Sequence, residues 1–150
     1  MSLTRRLGRP RPRPQDVGME FSGPWSAYAD VFLRAVGFGS LVLLGIPLVV
    51  APLAWARVLR WRVPDDPDLA VYFGRCLGAI IAVLAVAAFV AAASPAIQPF
   101  FFGIITAGFG LMVAVHAWGA VRRIQPRTES LETFAWLVLL IVALLCFPTG

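Results

Sequence analysis

Residues 76–121 hold no Asp, Glu, Lys or Arg, a run of 46 uncharged positions in a chain of 150. A soluble domain carries a charge at about every fourth residue, and a charge at the bilayer centre costs roughly 2.5 kcal/mol or more. The run therefore predicts two membrane-spanning helices folded back through the turn Ser94-Pro95-Ala96-Ile97-Gln98-Pro99. A spanning helix needs about 20 apolar residues, and similar stretches flank the run on both sides. Four spans follow, at residues 31–58, 69–93, 99–121 and 130–147. The predicted fold is an all-α membrane protein, four transmembrane helices in an antiparallel up-and-down bundle over residues 23–150.

Residues 1–22 form a separate Pro/Arg-rich arm centred on Arg9-Pro10-Arg11-Pro12-Arg13-Pro14. Alternating proline forbids a helix and favours an extended, solvated chain. Arg5-Arg6 is reminiscent of a twin-arginine export signal, but the apolar segment starts too far downstream, so an uncleaved arm is expected. The charge of +5 comes from 13 basic residues, all arginine. Most of them flank apolar spans, which points to topology signals and lipid headgroups rather than to nucleic acid.

Within the first span, Pro47 and Pro52 predict a kink or irregular backbone. Asp30 and Arg34, spaced i,i+4 ahead of it, predict a surface pair. Asp66-Pro67 with Asp68 reads as a helix start for span two, and Glu129 with Glu132 opens span four. Trp55, Trp61, Tyr72, Trp118 and Trp136 fall at the span ends nearest loops one and three, while Trp25 and Tyr28 fall at the other ends. Such belts mark both interfaces. Loops one and three carry six arginines, and loop two and the C-terminal tail carry none. Positive-inside reasoning places those two loops in the cytoplasm and both termini outside; the five arginines of the arm pull the other way, from the edge of the rule's range.

Four polar residues converge on the loop-one and loop-three side of such a bundle: Arg75, His116, Glu129 and Glu132. Ionisable groups at membrane depth face the bundle and pair, so an Arg75–Glu132 ion pair with His116 beside it is expected. The cluster reads either as a site for a headgroup, a quinone or a proton, or as a structural tie. One histidine cannot supply both axial ligands of a haem, and with two cysteines at opposite span ends it cannot assemble a zinc set. No metal and no cofactor is expected, and Cys76 and Cys146 lie too far apart to bridge. No nucleophile elbow, phosphate loop or Cys–His pair is present, and Ser94, Thr106 and Ser130 lack an identifiable base.

Small residues recur at helical spacing. Gly74 and Gly78 form a G-x-x-x-G, and Gly103, Ala107, Gly110 and Ala114 share one face of span three. They let backbones approach, either within the bundle, which is the preferred reading, or between chains.

In order, the prolines of span one, Arg75-Cys76-Leu77-Gly78 opening span two, the Ser-Pro turn and Glu132 entering span four resemble the DoxX-like families of small four-helix bacterial membrane proteins. The resemblance covers residues 35–148 and implies a bacterial inner-membrane bundle; members linked to thiosulfate–quinone oxidation act with partner subunits. Three functions follow as expectations: a multi-pass protein without its own catalytic centre, free-standing or an accessory subunit; a quinone- or redox-linked component using the polar cluster; or an oligomeric transporter protomer. Expected partners are the lipid bilayer and either a membrane protein or further copies of the chain.

Overall fold

The computed structural model describes residues 22–148, so the arm, apart from its last residue, lies outside the described part. Every element among the described residues is helical. Four stretches are long and apolar enough to cross a membrane: Ser26–Val50, Asp68–Ala92, Pro95–Arg122 and Arg127–Leu145. The helices are α1 (Ala29–Ser40), α2 (Ile46–Val50), α3 (Pro52–Val58), α4 (Asp68–Ala92), α5 (Gln98–Arg122) and α6 (Arg127–Leu145). Single 3-10 turns precede α1 and α5, at Ser26–Tyr28 and Pro95–Ile97.

The first span is broken where proline forces it. A π turn, Leu41–Gly45, joins α1 to α2 just ahead of Pro47. A proline ring collides with the carbonyl four residues back, and a wider turn relieves that clash. Ala51 leaves helical space altogether, at φ −143° and ψ 61°, because the residue before a proline is pushed out of the α region. The helical stretch that began at Ser26 therefore ends at Val50, and Pro52 starts α3 as a separate short helix. The irregular backbone expected of Pro47 and Pro52 takes the form of a π turn and a break between α2 and α3.

The first span packs along α4 through small residues. A Cβ on Gly37 would touch Ala85 and Ala88, one on Gly45 would touch Ala82, one on Gly78 would touch Leu48 and Val49, and one on Gly74 would touch Pro52. Partner numbers on α4 fall as those on the first span rise. The Gly74/Gly78 pair thus serves close approach inside the chain. Helices α5 and α6 form the second closely packed pair, whereas α4 and α5 touch only sparingly.

The core lies toward one end. Phe102 and Leu33 are fully buried, with Phe32, Phe101, Ala88, Ala91, Ala92, Ala143 and Cys146 around them. Phe102 meets Phe147 edge-on at 5.6 Å and Phe32 at 5.8 Å between ring centroids. Here the start of the first helical stretch is tied to the end of α6: Gly23 N–H donates to Phe147 O at 2.9 Å and Trp25 N–H to Leu145 O at 2.8 Å. Gln98 donates to Ala92 O at 3.4 Å, satisfying a carbonyl the end of α4 leaves open.

At the opposite end, α3 and α5 stop on arginines with left-handed backbones, Arg60 at φ 65° and Arg123 at φ 54°. Trp61 N–H reaches Ala56 O at 2.9 Å and Ile124 N–H reaches Gly119 O at 3.2 Å. These are Schellman closures, in which glycine is the usual occupant of the left-handed position. Asp30 and Arg34 form their expected pair at 3.9 Å, on the surface.

Candidate functional site

Three of the four polar residues singled out from sequence meet. Glu129 and Glu132 are one turn apart at the start of α6 and so share a face, where a helix N-terminus favours carboxylates. His116, near the end of α5, faces both: its Nε2 lies 3.3 Å from Glu129 Oε2 and 3.6 Å from Glu132 Oε2. Its Nδ1 lies 2.9 Å from Met112 O. A carbonyl can only accept, so Nδ1 carries the proton and Nε2 is the atom offered to the carboxylates. The other oxygen of Glu129 accepts a 2.7 Å hydrogen bond from Trp61 Nε1. Thr128 Oγ1 donates to Leu59 O, so α6 is tied to the end of α3 at two points. Gln125 donates to His116 O at 2.9 Å and lies over Gly119, where any Cβ would collide with it. Glu129 is buried, at 8% exposure.

Arg75 does not join them. It is exposed on α4, and the ion pairs of Glu129 and Glu132 among the described residues are with His116 alone. The expectation assumed that spans two and four would be neighbours. Helix α6 packs on α5, and α4 turns its Gly74/Gly78 face to the first span, which leaves Arg75 on another side.

Gly103, Ala107, Gly110 and Ala114 also sit otherwise than the preferred reading had them. Gly103, Ala107 and Ala114 are exposed, and a Cβ on Gly103 or Gly110 would meet nothing within 4 Å. That stripe of α5 points outward.

Between the two helix pairs lies a slot of about 460 Å³, within the roughly 300–1,000 Å³ common for small-molecule sites. On α5 it is lined by Phe101, Ile105, Gly108, Phe109, Met112 and His116, a single face opposite the small-residue stripe. On α4 the lining includes Leu77, Ile81, Leu84, Ala85 and Ala88. Trp55, Trp136 and Glu129 complete it near the polar end. The indole nitrogens of Trp55 and Trp136 are buried and have no hydrogen-bond partner among the described residues. Indole N–H is a donor only, and a buried donor without an acceptor costs about 1–3 kcal/mol. Trp136 also packs beside His116, with ring centroids 6.0 Å apart.

The slot had no clear sequence signal, and the two tryptophans read as interface anchors. Histidine and cysteine alone cannot make a metal set here, but carboxylate oxygens are ligands too, and one atom each from His116, Glu129 and Glu132 lies within 4.8 Å of the others. No family model, curated protein or solved structure matches this chain, so the likeness to DoxX-like proteins stands on the residues quoted for it alone.

Proposed function

We propose that this chain is a multi-pass protein of a bacterial inner membrane that binds a quinone-type molecule in the slot between its two helix pairs. The spans run up and down, each antiparallel to the next, with loops one and three on the cytoplasmic side. The observation that carries the reading is the pair of partnerless indole donors at Trp55 and Trp136, beside an apolar slot. A quinone supplies what such a place lacks: carbonyl acceptors on a flat ring and an apolar tail for the Phe101, Ile105 and Phe109 wall. Ligand sites of this kind combine apolar walls with a few convergent polar groups.

The test is extraction of the protein in mild detergent, mass spectrometry of what co-purifies, and quenching of tryptophan fluorescence by added quinone. Stoichiometric quinone is expected, with uptake abolished in Gly108→Leu, which fills the slot where a Cβ meets no atom within 4 Å. Recovery of phospholipid alone, or equal quenching in Gly108→Leu, refutes the proposal.

A second reading, an accessory subunit of a larger membrane complex, is favoured by the outward stripe of Gly103, Ala107, Gly110 and Ala114, since small residues admit a neighbouring helix closely. A stoichiometric protein partner in the same extract would support it, and cross-linking from cysteines placed on that stripe would locate the contact.

A further inference from the structure

We infer that His116, Glu129 and Glu132 form a binding site for a first-row divalent cation of the zinc type. One ligand atom from each lies within 4.8 Å of the other two. The fixed tautomer of His116 is the independent observation. Because Nδ1–H is given to Met112 O, Nε2 is the ring atom left facing two carboxylate oxygens, at 3.3 and 3.6 Å. Three atoms able to ligate a metal converge there.

Charge makes the same point. Among the described residues no arginine pairs with either glutamate, and the side chains of His116, Glu129 and Glu132 are 12%, 11% and 32% exposed. A carboxylate as buried as Glu129, with a second one beside it, is costly without a compensating cation. A proton on Nε2 would leave a net charge of about −1 on the group, whereas a divalent ion would neutralise both carboxylates and engage all three atoms.

The spacing fits the ion. Bonds of about 2.0–2.2 Å at tetrahedral angles set ligand atoms about 3.4 Å apart; the two histidine-to-carboxylate separations, 3.3 and 3.6 Å, bracket that distance, and all three atoms lie within 4.8 Å of one another. The surroundings fit as well. A ligating histidine usually gives its other N–H to a carbonyl or carboxylate, and a ligating carboxylate is itself hydrogen-bonded. Met112 O and Trp61 Nε1 fill those two roles. One imidazole with two carboxylates suits Zn²⁺, Co²⁺, Mn²⁺ or Fe²⁺, against the all-oxygen shells of Ca²⁺ and Mg²⁺. Three protein ligands leave a coordination position open, and His116 and Glu129 both line the slot.

The inference goes beyond the quinone reading and is tested without it. Full-length protein carrying no histidine tag is stripped with chelator in detergent and titrated with Co²⁺ alone, followed by visible d–d absorption and by calorimetry. One Co²⁺ per chain is expected, displaced by Zn²⁺. Affinity should fall at least about tenfold in Glu132→Gln, a near-isosteric change, and in His116→Ala, and should be unchanged in Asp68→Asn. Helical circular dichroism checks that each variant is folded, and Glu132→Gln decides if His116→Ala is not. Absence of stoichiometric Co²⁺ binding in the parent would mean a proton alone holds the cluster and would overturn the inference. Equal binding by Glu132→Gln, or an equal loss in Asp68→Asn, would overturn it too.

Discussion

Replacing Gly78 by alanine tests how the first span is seated on α4. A Cβ there would come 2.7 Å from Val49 N, 2.8 Å from Leu48 Cβ and 2.9 Å from Gly45 O. Two of those three atoms are backbone, which cannot swing aside as a side-chain end can. Overpacking of this kind costs about 1–3 kcal/mol, and the backbone contacts favour the upper half of that range. Alanine returns up to about 1 kcal/mol as a better helix former than glycine. The net expectation for Gly78→Ala is a loss of about 1–2 kcal/mol.

Gly103→Ala is the matched control, because a Cβ there meets nothing within 4 Å. Only the propensity term remains, a gain of up to about 1 kcal/mol. The propensity gain is common to both, so the two variants should differ by the overpacking cost, about 2–3 kcal/mol, or roughly thirtyfold to more than a hundredfold in the unfolding equilibrium. Loss of helical circular dichroism in mixed micelles with a rising fraction of dodecyl sulfate measures the difference. A Gly78→Ala protein as stable as Gly103→Ala would refute the packing argument. If Gly78→Ala instead dissociated an oligomer and left monomer stability unchanged, the G-x-x-x-G would serve contacts between chains.

Phe102→Ala should cost about 3–5 kcal/mol in the same titration, since that ring is fully buried between Phe32 and Phe147. Trp61→Phe keeps an aromatic side chain but removes the donor to Glu129; hydrogen bonds to charged groups are worth about 1.5–3 kcal/mol, and a loss of that order is expected. Arg123→Gly should gain about 1 kcal/mol by relieving the left-handed backbone at φ 54°, again read from the unfolding midpoint. Gly23→Ala should destabilise by more than 1 kcal/mol, because its Cβ would run into the carbonyls of Leu144 and Leu145 and part the two segments tied there.

The elements were legible because each is a long apolar run nearly free of charge, bounded by prolines and arginines. The bounds expected for spans two to four lie within a few residues of the helices, and the turn at Ser94-Pro95 is where Ser-Pro placed it. Prolines 47 and 52 announced an interruption but not its form, since a proline clash can be relieved by a kink, a π turn or a full break. The first span uses two of these, the π turn at Leu41–Gly45 and the break at Ala51.

Facing was not legible, and the reason lies in the composition. A polar stripe marks the outer side of a helix exposed to water; on helices apolar enough to cross a membrane both sides are apolar and no such stripe appears. On α5 the face Phe101, Ile105, Phe109, Met112 and His116 is as greasy as the face Gly103, Ala107, Gly110 and Ala114 half a turn away. Small size alone therefore selected the second face as the packed one, and the phenylalanine face is the one turned inward. The same two kinds of residue have opposite effects at the two joints. Between the first span and α4, Gly37, Gly45, Gly74 and Gly78 lie against Ala85, Ala82, Pro52 and Val49 of the opposite segment and close the gap. Between α4 and α5, Ala85, Ala88 and Gly108 stand beside the bulky Phe101 and Phe109, which hold the helices apart and leave the slot. His116 ends up at the mouth of that slot because it lies 15 residues beyond Phe101 on α5, close to a whole number of turns at 3.6 residues each. Its histidine was visible in the sequence from the start; that its face was the inner one followed only from the phenylalanines beside it.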